Sequence, residues 1–373
     1  MKFGKKKAGA IAAGLSLVMA LSPVAVPAVA LADTTTTPQI TKDLKLNNGS
    51  TVDATFNFKA EPVQLIVQGD EKTEPVATVP TATVAAVTYD SDATGTDAEK
   101  AGSNTKTAAV TFGDFDHAGF YAWEVTEVTS GEGFTSIDGM QYDTTSKYIL
   151  VADVVNAKDA EGNDTLSASY YFLPGDATTV TGTKEGTPTF TNKYSEEAGN
   201  EDPDKKDLTI TKKLDGSQAD TTKDFQFTVT FTAPEVLPAN IADAAAYYAQ
   251  LGITGDATEV SWNDDHNSVT FKLKGDKTAS FTGVIAGTTY DVSETAVAGY
   301  EPSWTATENG TAGVTKQSGL LAGEGVNKGT MTNKHQDVTP TGIVINNMPY
   351  IVMAGAAGAG VAAYGAAKRK LEK

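Results

Sequence analysis

The chain states its plan twice, and each time it sets charged side chains where a strand should bury only apolar ones. One stretch opens Ile40-Thr41-Lys42-Asp43-Leu44, and a second, far downstream, opens Ile210-Thr211-Lys212-Lys213-Leu214. Each passes a Gly/Ser/Asp turn and enters a Phe-x-Phe strand, Phe56-Asn57-Phe58 and Phe225-Gln226-Phe227. Midway stand Tyr121-Ala122-Trp123-Glu124-Val125-Thr126-Glu127 and Tyr290-Asp291-Val292-Ser293-Glu294. Each closes on Thr-Asn-Lys, at Thr191-Asn192-Lys193 and Thr332-Asn333-Lys334. Self-similarity in one order across a chain means two modules of one design.

The local pattern within each module is that of strands. Short runs rich in Val, Thr, Tyr and Phe alternate apolar with polar and are punctuated by Gly, Asn and Asp, as in Phe120–Val125, Lys147–Val151 and Ser169–Phe172. Many short strands at this spacing predict an all-β chain built as sandwiches or barrels. One helix is expected, over Ala239–Leu251. Ser195–Lys206 is charged, has no apolar anchor and holds Pro203. It reads as a linker between a module at 38–194 and a module at 207–334.

Strand alternation fixes what the repeated charges must do. Ile40 and Lys42 share a face, as do Ile210 and Lys212, and Val125 and Glu127. If the apolar partner points into the core, the charged one follows it. A buried Lys or Glu must pair or give up its charge, because isolated charge is expensive in a low-dielectric interior. Burial lowers the pKa of a Lys and raises that of a Glu. The products are a neutral amine, which is a nucleophile, and a protonated acid, which polarises an amide carbonyl and shuttles protons. With the Asn of the closing strand between them, the expected chemistry is amide exchange. Nζ of Lys attacks the Asn side-chain carbonyl, ammonia leaves, and an isopeptide bond joins first strand to last. The sites are Lys42, Glu127 and Asn192 in one module, and Lys212, Glu294 and Asn333 in the other.

The ends of the chain belong to export. Lys2, Lys5, Lys6 and Lys7 precede an apolar stretch, and Ala30-Leu31-Ala32 supplies a small-x-small cleavage site. Residues 1–32 therefore read as a secretory signal peptide. At the other end, an apolar run Met348–Ala367 is followed by Lys368-Arg369-Lys370. That is the length of a transmembrane helix, with a basic tail at 368–373 held on the cytoplasmic side. Without residues 1–32 and 342–373 the chain keeps 21 basic and 46 acidic side chains, a net charge of −25. Such a surface repels nucleic acid and anionic membranes. No Cys is present, so an exported chain that needs covalent reinforcement must find it outside disulfide chemistry.

Taken in order, these marks resemble the major pilins of Gram-positive bacteria, of the streptococcal FctA/T-antigen type. The residues that carry the resemblance are Ile40-Thr-Lys42, Phe56-Asn-Phe-Lys-Ala-Glu-Pro62, Gly119–Glu127, Tyr142-Asp-Thr-Thr-Ser146, Phe190-Thr-Asn192, Leu208–Lys212, Lys223–Phe227 and Thr332-Asn333-Lys334. They are weak singly and specific as a series over nearly the whole chain. The resemblance implies two tandem Ig-like (CnaB-type) β-sandwiches, each with a self-generated Lys–Asn bond assisted by Glu127 or Glu294. It also implies that a pilin-specific sortase cleaves between Thr341 and Gly342 of Val338-Thr339-Pro340-Thr341-Gly342. Val338 and Thr339 stand where the usual sorting signal has Leu and Pro, which points away from a general housekeeping sortase. Thr341 would then be joined to a Lys of the next copy. Lys184, eight residues before Asn192, is the nearest match to the family's acceptor, with Lys147 and Lys158 behind it. Minor pilins and peptidoglycan are the further partners implied, with a wall-anchored cell-surface pilus of a Gram-positive bacterium as the destination and adhesion as the use.

Other chemistry finds no support in the pattern. His117, His266 and His335 are scattered without ligand spacing, and Ala101 stands where a calcium loop beginning at Asp90 would need its bidentate Glu. No metal or cofactor is expected. No Ser/His/Asp arrangement is present, so the chain reads as a structural protein and not an enzyme, its only reaction a single turnover on itself. The alternative is a wall-anchored adhesin or minor pilin of the same fold, which would use Thr341 without an acceptor Lys.

Overall fold

The computed structural model describes residues 37–94 and 98–336. The expected signal peptide, the sortase motif 338–342, the apolar run 348–367 and the basic tail lie outside the described residues. Among the described residues no helix is long and apolar enough to cross a membrane.

The described chain is all-β, as expected. In the first module a five-stranded sheet runs in the order Met140–Gln141, Thr189–Tyr194, Gln39–Leu46, Gly102–Phe112, Ala82–Val84. A four-stranded sheet faces it, in the order Asp164–Pro174, Lys147–Lys158, Gly119–Glu127, Phe58–Pro62. Ile40, Leu44, Val110 and Phe190 of the first sheet and Trp123, Val125 and Leu150 of the second share one core. The strand Lys147–Lys158 departs from simple alternation, with Ile149, Leu150, Val151 and Ala152 all buried. Its outer face is covered too, by a flap carrying Leu65 and Val180. A run of four apolar residues is the sequence sign of a strand buried on both sides.

The second module repeats the arrangement. Its six-stranded sheet runs Gly252–Gly255, Thr278–Thr282, Leu208–Asp215, Lys328–His335, Tyr300–Glu308, Thr311–Val314. Opposite lie Thr258–Trp262, Ser268–Leu273, Phe225–Thr232, Thr288–Glu294 and Leu320–Ala322. Phe227, Phe271 and Phe281 pack between them, the first two stacked and the last two edge-on.

Two expectations are corrected. The helix expected over Ala239–Leu251 is a single turn, Ala244–Tyr248. Asp243 starts it by accepting the Ala246 amide, and upstream Ile241 is buried in the core, held in a turn on Pro238. The Phe-x-Phe motif forms one strand in the second module only. In the first, Asn57 interrupts it, so Phe56 pairs with Val87 while Phe58 joins the facing sheet.

The stretch 195–206 differs from a solvated tether. Its amides at Ala198, Gly199 and Glu201 donate to the carbonyls of Val284, Gly323 and Glu324, and Ala198 is buried. Composition hides this because the anchoring is by backbone. The modules also meet directly. Asn47 reads both the N–H (2.8 Å) and the C=O (2.7 Å) of Val236 with its side-chain amide. Gly287, at φ +95°, lies so close to Asn47 that a Cβ there would fall 2.5 Å from the Asn47 Cβ. Gln141 donates to the Leu237 carbonyl at 2.7 Å. Glu324 accepts from the amide and hydroxyl of Thr51 and is itself buried. Burial, with Glu196 and Glu201 nearby, pushes its carboxyl up to about 7.

Candidate functional site

In both modules the first strand pairs with the last in parallel, and with one register. Lys42 lies opposite Phe190 and Leu44 opposite Asn192; Lys212 lies opposite Met331 and Leu214 opposite Asn333. Lys and Asn therefore stand two residues apart along neighbouring strands, on the inward face. The Glu arrives from the facing sheet, again in one register: Glu127 opposite Phe58 and Glu294 opposite Phe227. The side chains of Lys42, Lys212 and Glu127 are 0% exposed, and that of Glu294 is 3% exposed.

The carboxylate bridges its two partners. In the first module Lys42 Nζ is 2.7 Å from Glu127 Oε2, and Asn192 Nδ2 donates to Glu127 Oε1 at 2.6 Å. In the second, Lys212 Nζ is 2.8 Å from Glu294 Oε2, and Asn333 Nδ2 donates to Glu294 Oε1 at 2.5 Å. The second ion pair is close but poorly aligned, so neither Lys212 Nζ nor Glu294 Oε2 completes a hydrogen bond. One carboxyl thus touches the Lys amine on one oxygen and the Asn carboxamide nitrogen on the other.

The surroundings favour the uncharged forms of Lys42, Lys212 and Glu127. Burial pushes the Lys42 ammonium below the ordinary lysine value against the pull of Glu127, and does the same to Lys212 against Glu294. Burial likewise pushes the Glu127 carboxyl up, against Lys42. A ring lies beside each amine: Nζ of Lys42 is 4.5 Å from the centre of Phe56, and Nζ of Lys212 is 4.4 Å from that of Phe225. These rings keep water from the amine while offering a π face to whatever charge it holds. The first Phe of each Phe-x-Phe covers the Lys, and the second pairs in register with the Glu. Recurrence of that spacing in both modules is the signal that could have placed Phe56 and Phe225 in the site.

A further group touches the first triad alone. The backbone N–H of Asp143 donates to Asn192 Oδ1 at 2.8 Å. The corresponding oxygen of Asn333 is buried without a hydrogen-bond partner.

Lys184 belongs to neither triad. It is exposed on the flap over the outer face of the first module, between the bridges Ile66–Thr179 and Phe172–Glu185, with Nζ 4.3 Å from the centre of the Tyr171 ring. Lys147 and Lys158 are each paired to a carboxylate, Glu124 and Asp164.

Comparison with known proteins finds a match for each module. Residues 38–195 match the FctA family model, described as a Spy0128-like isopeptide containing domain. Residues 206–335 match a model described as a domain of unknown function, DUF7601. A protein of Streptococcus pyogenes serotype M1 named "Pilin" is 27% identical over 330 residues, covering 84% of this chain and 85% of its own length. The crystal structure of the major pilin from Streptococcus pyogenes aligns at 22% identity over 80% of this chain and 98% of that one, with a TM-score of 0.34. The T-13 major pilin of the same species aligns at 20% identity over 80% and 97%, with a TM-score of 0.31. Residues 38–195 thus match an isopeptide containing domain of the FctA type, and over most of its length the chain is similar to a streptococcal pilin.

Proposed function

We propose that this chain is the shaft subunit of a surface pilus, closed internally by two Lys–Asn bonds and joined to its neighbours by a sortase. The observation that supports the internal bonds is the bridging carboxylate, repeated in one register in both modules. Proton transfer from Lys42 to Glu127 leaves a neutral amine beside the Asn192 carboxamide. Nζ attacks Cγ, the Nζ–Cγ bond forms, and the carbonyl electrons move to Oδ1. Glu127 gives its proton to Nδ2 and takes the second proton from Nζ, the electrons on Oδ1 return to re-form the carbonyl as the Cγ–Nδ2 bond breaks, and ammonia leaves. Lys212, Glu294 and Asn333 follow the same steps. Folding supplies the proximity that makes this slow exchange feasible, and the acid already touching both nitrogens supplies the proton path.

In this reading the modules span 38–194 and 207–334. Thr341 of Val338-Thr339-Pro340-Thr341-Gly342 is the acyl donor to a pilin-specific sortase, and Lys184 of the next copy is the acceptor. Lys184 is exposed and, among the described residues, makes no close ion pair of the kind that holds Lys147 and Lys158, though Asp153 lies near enough to feel its charge; that exposure supports the choice. The finished polymer is carried on peptidoglycan at the cell surface, with minor pilins as its other partners.

The intact mass of the soluble ectodomain tests the bonds. It is expected about 34 Da below the sequence mass, one ammonia per bond. An unreduced mass refutes the covalent reading. Co-expression with the pilin sortase tests assembly, through an SDS-resistant ladder that Lys184→Ala abolishes. A ladder unchanged in Lys184→Ala removes Lys184 from the role. No ladder with any cognate sortase favours a wall-anchored adhesin or minor pilin.

A further inference from the structure

In the segment Tyr142-Asp143-Thr144-Thr145-Ser146, Tyr142 packs against the first core, edge-on to Phe56, and the four residues after it stand outside both sheets. It follows the short edge strand Met140–Gln141, which pairs with Tyr194 and Lys193 on the flank of the closing strand. Beyond Gln141 the chain leaves the ladder, and the Asp143 amide turns to the side chain of Asn192, 2.8 Å from Oδ1. The Asp143 carboxylate holds that turn. Its Oδ1 accepts the amides of Thr145 (3.2 Å) and Ser146 (2.9 Å), and its Oδ2 accepts the amide of Thr191 (3.2 Å), next to Asn192. Burial raises its pKa, but these hydrogen bonds outweigh burial and hold the group below the ordinary aspartate value. The turn is therefore pinned at both ends while its N–H faces the carbonyl under attack.

The second module has nothing of the kind. Its closing strand is flanked by the long strand Tyr300–Glu308, and the residue opposite Asn333 is Pro302, which has no N–H. Asn333 Oδ1 is left buried and unpartnered.

We infer that the Asp143 N–H is the oxyanion donor of the first site and that the Asp143 carboxylate is its positioning group. As Lys42 Nζ bonds to Cγ, negative charge gathers on Asn192 Oδ1, and the Asp143 amide meets it there. The same donor polarises the ground-state carbonyl while Glu127 handles the proton that travels from Nζ to Nδ2. A preorganised donor aimed at charge that develops in the transition state is the largest single aid available to such a reaction. The first bond has it; the second forms by proximity and Glu294 alone.

The inference rests on the isopeptide reading, and the test separates the two. The full chain is made by cell-free translation with the α-hydroxy analogue of Asp at position 143. This replaces the Tyr142–Asp143 amide by an ester, deleting the N–H and keeping the carboxylate. Samples are quenched in denaturant over time, and each bond is followed by its own cross-linked peptide in mass spectrometry. Protease resistance of the first module reports its folding. Formation of the Lys42–Asn192 bond is expected to slow on the order of 10²-fold, while the Lys212–Asn333 bond in the same chains keeps its rate. An unchanged first-bond rate in folded chains overturns the inference and leaves the isopeptide reading intact. Absence of both bonds from the unsubstituted chain overturns both.

Should the ester chain fail to fold, two side-chain variants decide. Asp143→Ala keeps the N–H but releases Thr145, Ser146 and Thr191, and is expected to slow the first bond. Asp143→Asn keeps an oxygen for Thr145 and Ser146 and is expected to recover much of the rate despite losing the charge. Asp143→Asn no faster than Asp143→Ala, or both at the unsubstituted rate, overturns the inference.

Discussion

The two modules solve one problem with the same three residues and differ in what surrounds them. In both, a parallel pairing of first and last strands sets Lys and Asn two residues apart, and a Glu from the facing sheet bridges them. Around that shared geometry the first module adds the Asp143 turn, and its Lys–Glu contact is an aligned hydrogen bond. The second offers a longer flanking strand with Pro302 opposite the Asn, and a Lys–Glu contact that is close without being aligned. The triad is the part that the proposed amide exchange demands of both. The carbonyl donor is where the modules depart, because it comes from whatever strand happens to flank the closing one.

The sharpest break of this comparison comes from the bridging carboxylates. Glu127→Ala should block the first bond alone and Glu294→Ala the second, each leaving a mass only about 17 Da below the sequence value. Each module should then lose the loop-closure stabilisation of its cross-link, about 4–5 kcal/mol if it acts as a disulfide of similar span does. Mass spectrometry with thermal unfolding reads both effects. Loss of both bonds on removing one Glu would show that the modules are not independent chemically.

Next in size are the covering rings. Phe56→Ala and Phe225→Ala should each destabilise their module by about 3–5 kcal/mol through the cavity left behind. Each should also slow its own bond, since water reaching the amine restores the lysine charge. Denaturant unfolding gives the first quantity and the cross-linked peptide time course gives the second. A ring removed without effect on bond formation would reduce these Phe to packing.

A smaller effect is expected at the joint between modules. Burial holds the Glu324 carboxyl at about 7 in the folded chain against 4.5 ordinarily. The folded state thus binds the proton more tightly. That contribution is full below about pH 4.5 and is lost as pH rises to about 7, above which the ionised group faces Glu196 and Glu201. Glu324→Gln should therefore melt higher than the unsubstituted chain at pH 8, with a flatter dependence between pH 4.5 and 7. Parallel melting curves across that range would remove Glu324 as the source.

Smallest of all, Asn47→Ala should weaken the joint by about 1–3 kcal/mol, because the Val236 N–H and C=O lose their partners. The effect belongs to the relation between modules and not to either core. Hydrogen exchange at Val236 should rise while Val229 and Val125 stay protected.

Much of the site was legible in the sequence because strand alternation is a strict rule. Ile40 with Lys42, Ile210 with Lys212 and Val125 with Glu127 fix which charges are buried, and their repetition fixes the order Lys, Glu, Asn. The same strictness exposed the all-β class. Alternation says nothing of which strands are neighbours, so the parallel pairing of first and last strands, and the two-residue offset it imposes, could be decided only by packing. Asp143 acts through its backbone amide, a group every residue but proline carries, so no side-chain pattern could announce it. The anchoring of the stretch 195–206 is hidden for the same reason: its amides, not its side chains, tie it to the second module. The helix is only five residues long, shorter than its alanine content promises, because Ile241 enters the core and Asp243 sets the start. Fold class, doubled plan and buried triads all follow from side-chain periodicity, which the order of residues carries on its own. The register that brings Lys, Glu and Asn into contact, the Asp143 donor and the pinned joint emerge with packing, because each depends on backbone groups meeting across long separations in the chain.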